Sequence, residues 1–208
     1  MAPVFQPSIT VSLSGAALLV ILMAIGGYSG YQQGLRNILT IALWTILAYL
    51  LTVQGGTFLV DVINRFWSNG PRLVGFLIGQ NVNEIAPLEP LISPNLQIPL
   101  FFRVLAFIAL TMLGFFFNKK AAWKGPPKEP LARPLGLFVG ALIALLWSNA
   151  AVVFWNQYQA TGGILGGPIA SFLNTLPNIS EYMPSLIAVF FLILFVLMLF
   201  NFPKVWKP

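Results

Sequence analysis

Five apolar runs, each about long enough to cross a bilayer, limit what this chain can fold into. They fall near residues 11–28, 37–53, 100–117, 135–155 and 184–202. A helix needs about 20 predominantly apolar residues to span the hydrocarbon core. Only 8% of the 208 residues are charged and 58% are hydrophobic, whereas a soluble domain carries about 25% charged residues to face water. Most of this surface must face lipid or another membrane protein. The expected fold is all-α: a polytopic integral membrane protein with five transmembrane helices, forming a single membrane domain over residues 1–208.

The stretch from Gly26 to Arg36 joins the first two runs, and its glycines at 26, 30 and 34 recur one helical turn apart. In a continuous helix they share a face and let another backbone approach closely. They also suit a turn, where glycine is permissive; both hold if the helix breaks near Gly30. Gly136 and Gly140 form a second close-packing pair, extended by Ala144. The candidate helix-packing residues are therefore Gly26, Gly30, Gly34, Gly136 and Gly140.

Three connections separate the remaining runs. Residues 57–99 form a long outer connection, which opens with an amphipathic helix near 57–67 that suits the membrane interface. Its apolar side carries Phe58, Phe66 and Trp67, while Asp61 and Arg65 sit four apart and are spaced to pair. The apolar piece from Leu73 to Ile78 is too short to span, and Glu84 and Glu89 belong to a solvated irregular loop. Residues 118–134 form a basic, proline-rich loop carrying Lys119, Lys120, Lys124, Lys128 and Arg133. Residues 159–183 form a second outer connection, with no basic residue and a short surface helix over 169–176.

Placing the N-terminus outside puts Arg36, Lys119, Lys120, Lys124, Lys128, Arg133, Lys204 and Lys207 on the cytoplasmic side. Only Arg65, Arg72 and Arg103 then fall outside, in accord with the positive-inside rule. Met1 to Phe5 carry no charged side chain, so the expectation is no secretory signal. Arg103, in the first turn of the third span, is expected to snorkel to the interface. Thr40, Thr45 and Thr52 are expected to bond back onto their own helix, and Asn149 to find a partner on a neighbouring one. Trp155 and Tyr158 fit an interfacial belt. The fifth run is apolar on all sides, which suits lipid contact or burial between subunits.

The chain has no Cys and no His, which excludes disulfides, iron–sulfur clusters, thiolate nucleophiles, the usual zinc sites and imidazole bases. No acid lies within a span. The expectation is a protein that is not an enzyme and holds no cofactor or metal. Nucleic acid is not an expected partner, since the basic residues form no dense stripe. The expected partners are the lipid bilayer and other integral membrane proteins. Apolar grooves leave room for lipid, quinone or pigment, without a His to ligate one. The reading is a non-catalytic accessory or scaffolding subunit of a larger membrane assembly. The alternative is a small channel or transporter acting as a homo-oligomer, for which Arg103 is the only ionisable residue within a span.

Gly30-Tyr31-Gln32-Gln33-Gly34-Leu35, followed by Arg36, resembles the turn between the first two spans of the colicin V production protein family. The order of the long connection, third span, basic loop and glycine-opened fourth span follows that family over about residues 12–158. Gln32 and Gln33 stand where the family has a basic pair, and a fifth span follows where it has a tail. The resemblance implies a bacterial inner-membrane protein linked to toxin export or envelope maintenance. It brings no established chemistry with it.

Overall fold

The computed structural model describes residues 13–93, 97–120 and 132–206, with side chains over 14–93, 98–118 and 132–196. Among the described residues every regular element is helical: α1 (Leu13–Tyr49), a π-helical turn (Leu50–Gln54), α2 (Phe58–Leu77), a 3₁₀ turn (Val82–Glu84), α3 (Gln97–Lys120), α4 (Ala132–Ala160), α5 (Pro168–Thr175) and α6 (Met183–Trp206). Three stretches are long and apolar enough to cross a membrane: Ser14–Gln54, Ile98–Asn118 and Ala132–Ala160. A shorter apolar helix covers Met183–Val196.

The first of these stretches is two limbs rather than one rod. Gly34 has φ 73° and ψ 163°, a conformation essentially restricted to glycine. Before it, Gly30 meets Gly136 and Gly26 meets Gly140, so residues 13–33 run antiparallel to α4. After it, Tyr49 reaches Asn149, and Arg103 links Thr52 to Gln157, so residues 35–54 run parallel to α4. The chain reverses direction at Gly34. The break lies one turn later than the expected position near Gly30, because Gly30 is held in helical contact with Gly136.

α3 descends beside the second limb. Its Gly114 lies against Trp44 and Ile41, and Phe117 stacks on Trp44 with ring centroids 5.4 Å apart. Leu35, Ile38, Ala42 and Ile46 from the second limb pack with Phe107, Val139, Leu146, Ala150 and Phe154 to form the core. Phe107 joins α3 to α4 by edge-on contacts with Trp147 and Phe154.

Outside this bundle, α2 is longer than the interfacial helix expected near 57–67. It continues through Pro71 to Leu77 and absorbs the second apolar piece. An interior proline removes a backbone donor and crowds the preceding turn. Here the returning chain supplies bonds on that side: Leu88 N donates to Ser68 O at 3.0 Å, and Arg72 Nε donates to Ile85 O at 2.9 Å. Asn64 clasps Ile92 through both its backbone N–H and its carbonyl. Asp61 accepts from Thr57 Oγ1 rather than from Arg65. Glu84 and Glu89 are exposed, as a solvated loop requires. α6 buries one stripe, Met183, Ile187 and Phe190, and leaves Val189, Leu192 and Phe195 exposed.

Candidate functional site

At one end of the bundle the first limb of α1 crosses α4 with little between the two backbones. A Cβ on Gly30 would overlap the Gly136 carbonyl oxygen, and one on Gly140 would overlap that of Gly26. At Gly26 a Cβ would sit 2.6 Å from Ala144 Cβ, and at Gly136 it would lie 3.0 Å from Gly34 Cα as well as overlapping Gly30 O. All five glycines singled out from the sequence thus meet in one place, with Gly34 also making the turn.

Two basic residues lie nearby. Arg36 follows the Gly34 turn, and Arg133 lies in the first turn of α4 with its guanidinium 5.9 Å from the centre of the Tyr31 ring. Lys119 and Lys120 close α3 and Lys204 lies on α6; their side chains lie outside the described residues. So do Lys124, Lys128 and Lys207 altogether.

The opposite end holds the polar groups that the apolar helices carry inside. At Leu50 the second limb widens into the π-helical turn, closed by Gly55 N donating to Leu50 O at 2.8 Å. A helix end leaves carbonyls without helical donors, and Arg103 takes up two of them. Its Nε donates to Thr52 O at 2.7 Å, one terminal amino group to Val53 O at 3.4 Å, and the other to Gln157 Oε1 at 2.9 Å. The guanidinium also lies 5.7 Å from the Phe154 ring centre. Arg103 is only 6% exposed. The expected snorkelling is therefore wrong: the acceptors that satisfy this charge are inside the bundle, so the side chain turns inward. It also stands in the second turn of its helix, because α3 begins at Gln97.

One layer away, Asn149 is buried at 1% exposure. Its amide donates to Tyr49 Oη at 3.3 Å and its carbonyl oxygen accepts from Ser180 Oγ at 3.1 Å. Gln54 Nε2 reaches Ser180 O at 3.3 Å. The network ties the second limb, α4 and the chain leading into α6 together. Thr52 bonds back to Ala48 O at 2.7 Å, as expected. Thr45 does not: its hydroxyl oxygen is buried without a hydrogen-bond partner.

Between α3, α4 and α5 lies an open groove of about 550 Å³ whose walls are almost wholly apolar. Val104, Ala151, Phe154, Tyr158 and Leu173 line it, together with Trp155. Trp155 is buried rather than set in an interfacial belt, because α5 folds over it: Nε1 donates to Asn174 Oδ1 at 2.6 Å. Its ring stacks on Tyr158 with centroids 5.7 Å apart.

Sequence reasoning marked Arg103 and Asn149 but not their partners. Gln157, Tyr49 and Ser180 are ordinary polar residues near helix ends, and two of the acceptors for Arg103 are backbone carbonyls. The available signal was the isolated Arg in an apolar run, which must find acceptors somewhere if it is buried.

No protein-family model matches the chain, and neither does any curated protein or solved structure.

Proposed function

We propose that this chain is an integral membrane protein that crosses the bilayer five times and serves as a non-catalytic accessory or scaffolding subunit of a larger membrane assembly. The observation that carries the reading is the division of its chemistry. Arg103, Gln157, Asn149 and Tyr49 are taken up in bonds between helices of the bundle, while α6 turns Val189, Leu192 and Phe195 outward. A surface of that kind suits lipid or a neighbouring membrane protein.

The five crossings count the two antiparallel limbs of α1 separately, then α3, α4 and α6. The clustering of Arg36 and Arg133 at one end, opposite Arg65 and Arg72 on α2, supports an N-terminus outside and a C-terminus in the cytoplasm. α2, with its exposed Phe66, Phe76 and Leu77, then lies in the outer interface. The turn resembling that of the colicin V production family supports a bacterial inner membrane and a role in toxin export or envelope maintenance.

One observation favours a second reading, a small channel or transporter acting as a homo-oligomer. Arg103 is a buried charge beside a helix that departs from α geometry, and intramembrane ionisable residues commonly mark ion paths.

Mild-detergent extraction from the native membrane, followed by mass analysis, separates the two. The expected outcome is an assembly of several different proteins, much larger than 22.8 kDa. Recovery of the chain alone, or only with copies of itself, overturns the accessory reading. Ion or solute flux through such a preparation in liposomes would then establish the second.

A further inference from the structure

We infer that the groove between α3, α4 and α5 is a binding site for one acyl chain of a membrane phospholipid. The inference rests on the membrane reading above and adds a ligand to it.

Three observations point to a hydrocarbon chain. The first is chemical. Most of the polar groups next to the groove are already occupied: Trp155 Nε1 is held by Asn174, and the Arg103 guanidinium, beside Phe154, is held by Thr52 O, Val53 O and Gln157, which leaves the Tyr158 hydroxyl among the lining side chains. A ligand carrying several polar groups into the groove would lose their hydration with a single hydroxyl to replace it, whereas an acyl chain has none to lose. The second is size. About 550 Å³ holds on the order of 18 groups of a water molecule's ~30 Å³, the bulk of a single acyl tail and far less than a folded protein segment. The third is access. The α3 side of the groove carries Ile98 and Phe101, 45% and 66% exposed, beside the more buried Leu100 and Val104. The groove is thus continuous with the outward apolar flank of α3, the surface that lipid covers in a spanning bundle. A tail can enter sideways from the bilayer without any helix moving.

The bound chain would also complete the packing. Each atom that comes to lie against a side chain adds dispersion contact. An acyl chain seated in the groove would cover the groove-facing sides of Val104, Ala151 and Leu173.

The test is photolabelling of the full chain in nanodiscs made with a phospholipid that carries a diazirine in one acyl chain, with adducts mapped by mass spectrometry. The expected result is labelling of Val104, Ala151 and Leu173 several-fold above that of Leu192 and Phe195, which are exposed on α6. Ala151→Phe, at a small and accessible position on the groove wall, should lower labelling of Val104 and Leu173 to the α6 level and leave α6 labelling unchanged. Equal labelling of groove and α6 residues in the unaltered chain overturns the site but not the membrane reading. Absence of labelling from both overturns the membrane reading, and the site with it.

Discussion

Where the first limb of α1 crosses α4, glycine lets backbone lie against backbone; where the second limb, α3 and α4 meet at the other end, buried polar side chains span the gaps. Inside a bilayer neither contact gains from leaving water, since lipid tails are as apolar as leucine. The glycine crossing gains from proximity, through dispersion between closely approaching backbones. The polar end gains from saturation, because Arg103 and Asn149 have no competing water to lose bonds to. The first kind of contact tolerates no added atom; the second tolerates shape changes but no lost partner.

Substitutions sharpen this contrast, beginning with the largest expected effect. Gly30→Leu drives a side chain into the Gly136 carbonyl and should cost about 3 kcal/mol or more, the upper end of overpacking penalties. Unfolding in mixed micelles would show the loss, and membrane insertion should persist because hydropathy rises. Unchanged packing would mean that the glycines serve only the turn. Arg103→Leu leaves the Thr52 and Val53 carbonyls and Gln157 without their donor, at an expected cost of about 2 kcal/mol. Arg103→Lys should recover part of that, since an ammonium donates but lacks the planar fork. If lysine proves as damaging as leucine, it is the fork geometry, and not the charge, that holds the π-helical turn. Asn149→Leu removes the bonds to Tyr49 and Ser180 and should cost about 0.6–1.7 kcal/mol, from the average to the largest contribution measured for an interhelical hydrogen bond in a membrane protein. A cost matching that of Gly30→Leu would erase the contrast between the two ends.

Much of the fold was legible because membrane helices are written locally. The apolar runs locate α3, α4 and α6 to within a few residues, and of the spaced glycines Gly26 and Gly30 lie where backbones approach while Gly34 makes the turn. Boundaries shifted where a neighbour intervened. α2 passes through Pro71 because the loop at Ile85 and Leu88 bonds to that side of the helix. The candidate site was less legible. Arg103 stood out as the basic residue within an apolar run, yet its direction depends on carbonyls some 50 residues earlier in the chain.

By itself, the sequence determined helicity and the need for an apolar surroundings, because both follow from runs of side chains with few charges and no alternative means of satisfying a backbone in lipid. It also determined that Gly34 could turn, since only glycine occupies that conformation without strain. Tertiary structure alone decided that the turn folds the first limb back along α4, that Arg103 points inward, and that Trp155 lies beneath α5. Those outcomes depend on which acceptor or surface lies within reach after the helices pack, and reach in space is not encoded in spacing along the chain.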